Sequence, residues 1–160
     1  MKLPKRKNIR LKDYDYSQPG YYFITICTKG KHPLFDNIVG AATCRPHIEL
    51  TRIGQIVDIS INNICGVYPY ISVDKYVIMP NHIHMILRVG IMQNGRQVAA
   101  PTIQMVVGNM KRYASMQAGL SLWQSGFHDH IIRNEPNYQR IWQYIDENPA
   151  RWADDQYYAQ

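Results

Sequence analysis

His82 and His84 stand two residues apart inside Tyr76-Val77-Ile78-Met79-Pro80-Asn81-His82-Ile83-His84-Met85-Ile86-Leu87, an apolar, β-branched run. A strand points residues i and i+2 to the same face. The pair therefore presents two imidazoles side by side from a rigid element, an arrangement that suits one divalent metal ion. The same spacing fits two half-exposed histidines facing solvent. It also occurs in metallohydrolases and in the histidine-triad phosphate enzymes. The triad needs a third histidine where this chain has Ile86, and no His-Glu-x-x-His is present. Alone, the pair marks a candidate metal site at the edge of a core.

Tyr144 and Asn148 are four apart near the C-terminus and share one face of a predicted helix. A tyrosine hydroxyl beside a metal-bound phosphate can attack phosphorus. The Asn148 side-chain oxygen can complete a metal shell. Taken alone, a tyrosine at such a place is more often a packing residue. His128 and His130 form a second His-x-His, readable as extra ligands, as proton carriers or as packing residues.

The elements that must position these groups follow from periodicity. Residues 21–28 and 47–50 read as strands. Thr51 caps a helix over 52–65, with Ile53, Ile56, Val57 and Ile61 on one stripe. Strands over 71–78 and 82–89, separated by Pro80-Asn81, pair antiparallel. Pro101-Thr102 opens a helix with Ile103, Val106, Val107 and Met110 on its apolar side. Lys111 and Arg112, on its other side, are expected phosphate contacts near the site. Residues 127–133 read as a strand, and Asn134 caps a last helix over 135–148. That order predicts an α+β, ferredoxin-like split βαβ sandwich. Its sheet is antiparallel, and an added C-terminal helix carries Tyr144.

With 160 residues, 46% hydrophobic and 19% charged, the chain reads as one ordinary soluble domain. No apolar run approaches the roughly 20 residues of a membrane span, and the basic start lacks the apolar core of a signal peptide. Cys27, Cys44 and Cys65 form neither a disulfide framework nor a Cys-x-x-Cys site. A cytoplasmic location is expected. The net charge is +6. Lys2, Lys5, Arg6, Lys7, Arg10 and Lys12 crowd the start, and Tyr14 and Tyr16 follow. The stretch reads as a phosphate-binding arm with rings available for stacking on bases, or as a solvated terminus. The expected division is a basic arm over 1–20, one domain over 21–152 and a short tail over 153–160.

Together these segments resemble the single-tyrosine HUH transposases, which include insertion-sequence transposases and the REP-associated tyrosine transposases. The matching stretches are 10–20 with 22–28, 76–84, Trp123-Gln124, 130–134 and Tyr144-Ile145-Asp146-Glu147-Asn148-Pro149. The resemblance is closest to the REP-associated branch. It implies that His82, His84 and Asn148 hold Mg²⁺ or Mn²⁺ and that Tyr144 is the nucleophile. It further implies cleavage and rejoining of single-stranded DNA at hairpins through a 5′-phosphotyrosine intermediate. Relatives work as homodimers or as monomers. Many carry an aromatic where this chain has His128, whereas His130 lies in a shared segment and is expected to pack or bond near the DNA. Two other readings stand beside this one: a domesticated, non-catalytic DNA-binding protein, and an unrelated metal-dependent hydrolase.

Overall fold

Alternation sets the architecture. In strand β1 (Gly20–Cys27), Tyr22, Ile24 and Ile26 enter one core, while Tyr21 and Phe23 pack against another on the opposite face. Strand β5 (His82–Val89) is buried on both sides, with Ile83, Met85, Leu87 and Val89 facing the first core and Ile86 the second. A strand buried on both faces needs a layer of helices over each, and the chain supplies them.

The computed structural model describes residues 12–39, 47–91 and 101–158. After β1 comes a hairpin of β2 (Asp36–Val39) and β3 (His47–Leu50). Helix α1 (Arg52–Asn62) and a single turn, α2 (Ile64–Val67), lead to β4 (Ile71–Met79) and β5. Helix α3 (Ile103–Ala118), β6 (His128–Ile132), α4 (Glu135–Glu147) and a 3₁₀ segment (Asn148–Asp154) complete the order. The main sheet runs β4-β5-β1-β6, every neighbour antiparallel. This is the expected α+β split βαβ arrangement. Helices α1 and α3 cover the first core, and α4 covers the second. Among the described residues no helix is long and apolar enough to cross a membrane.

Three expectations change in detail. The helix expected over 52–65 is interrupted at Asn63, where the Asn62 amide donates to the Asp58 carbonyl and α2 restarts. Strand β2 was not anticipated; it is a short partner for β3. Tyr14 and Tyr16 are not free stacking platforms. Their rings lie 5.0 Å apart, Tyr16 is 6.2 Å from Tyr22, and Tyr16 is buried in the first core. Lys5, Arg6, Lys7 and Arg10 lie outside the described residues.

Glycine at position 54 is required by a close approach. Thr51 caps α1, its hydroxyl accepting from the Gly54 amide and donating to the Leu34 carbonyl. That contact brings the strand-entry backbone against the first helical turn, so a Cβ on Gly54 would fall 2.0 Å from the Phe35 carbonyl oxygen. Gly54→Ala is expected to destabilise the fold by about 1–3 kcal/mol, the usual range for overpacking. Denaturant unfolding checks this, and an unchanged midpoint would contradict it.

Candidate metal and nucleophile site

Proline and asparagine at 80–81 make a two-residue connection, with Met79 paired to His82. Asn81 does more than turn the chain. Its amide nitrogen donates to the carbonyls of Lys31 and Tyr157, at 3.1 and 2.7 Å. That fixes the amide orientation and aims Oδ1 at His82 Nδ1, 2.9 Å away. An acceptor there means that Nδ1 carries the ring proton, leaving Nε2 of His82 bare. His84 pairs with Thr25 across β1, and its Nδ1 lies 2.8 Å from the Thr25 hydroxyl. The two Nε2 atoms then meet at 3.1 Å. Both rings are buried, at 0% and 1% exposure, at the end of the sheet where β5 begins.

Burial drives both imidazoles toward neutrality. Desolvation lowers each pKa to about 3, helped by the Lys31 charge at His82 and by the neighbouring ring at His84. Neutral imidazole is the form that ligates metal. The sign of the stability linkage follows. In the unfolded chain these histidines take up protons below about pH 6.5, while the folded protein resists. Their contribution is present above that pH and is lost as pH falls toward 3. Thermal unfolding followed from pH 7 to 4 should show a falling midpoint, and the fall should be shallower in His82→Gln.

Helix α4 brings the tyrosine. Ile141 and Ile145 bury one face against the sheet, each contributing about 1.5–3 kcal/mol. Polar contacts with β4 set the lie of the helix. The Tyr138 hydroxyl donates to Asp74 Oδ2 at 3.1 Å, and Lys75 pairs with Asp146 over the Trp142 ring. The ion pair is open to solvent on its Asp146 side and contributes little, about 0.2–1 kcal/mol, so apolar burial dominates. The result places the Tyr144 hydroxyl 3.3 Å from His84 Nε2 of its own chain. Tyr144 is 39% exposed, and its pKa is raised by burial and then by the Asp155 charge, against a pull downward from the Asn148 side chain.

Asn148 opens the 3₁₀ segment, and beyond it the chain turns back over the histidines. The Trp152 and Tyr157 rings lie 5.9 and 4.6 Å from the His82 ring. The turn delivers a group that the sequence reading missed. The Asp155 carboxylate is buried, accepts from the Tyr157 amide through Oδ1, and places Oδ2 4.0 Å from His82 Nε2. His82, His84 and Asp155 thus converge, with one ligand atom from each within 4.8 Å of the others. Only the adjacent acids Asp154-Asp155 hinted at this in the sequence.

The donor set fits a divalent cation. Two neutral imidazoles converge on a buried carboxylate. Nearby, Asn148 Oδ1 is buried with no hydrogen-bond partner among the described residues. Such an orphan is costly unless a ligand satisfies it. A cleft of about 670 Å³ opens on this site, lined by Tyr144, Asn148 and Asp155.

Other expected residues fall elsewhere. Helix α3 lies on the sheet face away from the histidines. Lys111 Nζ donates to the carbonyls of Gln124 and Gly126, and Arg112 borders a groove between α2 and α3. His128 and His130 sit on the exposed edge strand β6, paired to Thr25 and Phe23. His130 Nε2 accepts from the Asn137 amide at 3.1 Å.

No protein-family model matches the chain. It is 33% identical, over 96% of its length and 93% of the relative's, to an uncharacterized protein of Haemophilus influenzae. Among solved structures it is similar to a REP-associated tyrosine transposase bound to a REP hairpin. That likeness has a TM-score of 0.62 and 21% identity, over 89% of this chain and 74% of the other. The chain therefore belongs to one family with the Haemophilus influenzae protein, and it has the fold of the REP-associated tyrosine transposase, the group its sequence resembles.

Proposed function

We propose that this protein is a metal-dependent transposase of the HUH type that cleaves and rejoins single-stranded DNA with Tyr144 as nucleophile. The observation that carries the reading is the Tyr144 hydroxyl 3.3 Å from His84 Nε2, where the two imidazoles converge. His82, His84 and Asp155 would hold the ion, Mg²⁺ or Mn²⁺, with Asn148 Oδ1 as a further ligand. When bound, the ion supplies Lewis-acid polarisation of the scissile phosphate.

The chain's own residues account for the rest. Asn81 and Thr25 fix the two imidazoles so that Nε2 of each faces the site, the orienting role typical of partners behind metal ligands. Helix α4 holds the Tyr144 oxygen beside the phosphate position, so attack needs no large movement of the nucleophile. Tyr144 oxygen bonds to phosphorus as the P–O3′ bond breaks. The tyrosine proton is released, and the departing 3′ oxygen becomes a hydroxyl by taking one up. The downstream strand stays on the enzyme as a 5′-phosphotyrosine. Attack by a DNA 3′-hydroxyl reverses the step and joins strands without ATP.

The substrate class is single-stranded DNA carrying a hairpin; the REP-associated transposase of like fold is bound to one. Lys5, Arg6, Lys7 and Arg10 add phosphate contacts from the N-terminal arm. One chain brings Tyr144 to its own His84, so each chain carries a complete site, alone or in a homodimer, and works on DNA in the cytoplasm. A 3′-labelled, randomised stem-loop library incubated with Mn²⁺ or Mg²⁺ tests the proposal. Label should follow the denatured protein with cation and not with EDTA. Absence of label under every cation would refute it.

A further inference from the structure

A second cleft, of about 760 Å³, lies between the edge strand β6 and the N-terminal half of α4. Its lining includes one acid, Asp129, beside His130, Arg133, Asn134, Asn137 and Arg140. Arg140 also lines the cleft that opens on Tyr144 and Asp155. Arg140 thus borders both clefts. Arg140 precedes Tyr144 by one helical turn, about 6 Å along the axis.

The side chains here are organised rather than merely basic. Arg140 donates to Asn137 Oδ1 at 2.9 Å, and the Asn137 amide reaches His130 Nε2 at 3.1 Å. That chain of bonds crosses from α4 to β6 and holds the Arg140 side chain along the floor between the clefts. Arg140 and Arg133 are both exposed. Of the three acids of the Tyr144 cleft, Glu147 pairs with Arg151 at 3.0 Å and Asp155 turns inward to the histidines, while Asp154 is exposed.

From this we infer that the trough along α4 and β6 is the path of the single strand that continues from the phosphate at Tyr144. Arg140 clamps the neighbouring phosphate, and Arg133 holds one further along. The inference rests on the proposed strand-transfer site, since that site fixes where the strand begins. Guanidinium suits the role because its planar fork meets phosphate oxygens bidentately. The cleft between the edge strand and the helix leaves room for unpaired bases, with Asn137 and His130 within reach of their edges.

Binding rather than cleavage tests this, so its failure is separable from failure of the strand-transfer reading. Fluorescein-labelled oligothymidine is titrated in EDTA, over a series of salt concentrations, with wild type, Arg140→Ala, Arg140→Lys, Arg133→Ala and Arg52→Ala. Each lost phosphate contact on a single strand should lower the slope of log K against log salt by about 0.7. Arg140→Ala and Arg133→Ala should each show that drop and bind several-fold more weakly at low salt. Arg140→Lys should recover the slope, which a merely structural role would not predict. Arg52→Ala, on α1, removes the same net charge and should leave the slope unchanged. The inference is overturned if Arg140→Ala keeps the wild-type slope. It is equally overturned if Arg52→Ala lowers the slope as much, or if a duplex of equal length loses as much from Arg140→Ala as the single strand does. Normal slopes in the variants alongside an intact covalent adduct would sink the trough and leave Tyr144 chemistry standing. A missing adduct alongside the expected slopes would do the reverse.

Discussion

Tyr144→Phe is expected to abolish the covalent protein–DNA adduct and all strand transfer while leaving the fold and DNA binding nearly unchanged. The substitution removes one oxygen from a partly exposed side chain whose hydroxyl lies 3.3 Å from His84 Nε2. The stability cost of such a loss is about 1 kcal/mol or less. The chemical cost is that of deleting a nucleophile, on the order of 10⁴-fold or more in rate. Tyr138 and Tyr113 are poor substitutes. Tyr138 spends its hydroxyl on Asp74, and burial pushes its pKa up to about 12. Tyr113 is on α3, across the sheet from the histidines. A denaturing gel with a 3′-labelled substrate reads the outcome, and label on the Phe variant would give the nucleophile's role to another residue.

His84→Gln is expected to reduce cation-dependent cleavage by more than about 10²-fold, the upper end of what altering a group behind the ligands costs. Glutamine keeps most of the volume of a fully buried ring, whereas alanine would also open a cavity in the sheet. Asp155→Asn should weaken Mn²⁺ binding, read by electron paramagnetic resonance, because it removes the buried charge that faces the two neutral imidazoles. Circular dichroism separates loss of metal from loss of fold. Normal Mn²⁺ affinity in both variants would remove the metal site from the account.

How much of this was readable in advance depends on range. The strand over 82–89 and the shared face of His82 and His84 were legible, because a two-residue period is a local property. The four-residue spacing of Tyr144 and Asn148 likewise announced one helix face. Thr25 was not legible as the partner of His84, since that depends on the register in which β1 meets β5. Asp155 was invisible for a similar reason. As sequence it is half of an acidic pair in a stretch read as a tail, and only the turn after Asn148 carries it to His82. Lys111 and Arg112 were expected as phosphate contacts on a helix near the site. The apolar stripe of Ile103, Val106, Val107 and Met110 instead docks α3 on the first core, with Ile24 and Met85.

The residue to which DNA becomes attached is the most direct mark of this chemistry. The adduct formed with Mn²⁺ would be trimmed with nuclease, digested with protease and sequenced by tandem mass spectrometry. A nucleotide joined through its 5′-phosphate to Tyr144, and to no other residue, is the predicted result. A nucleotide on Tyr138, Tyr157 or a serine, or products released by water with no protein-linked nucleotide at all, would contradict it.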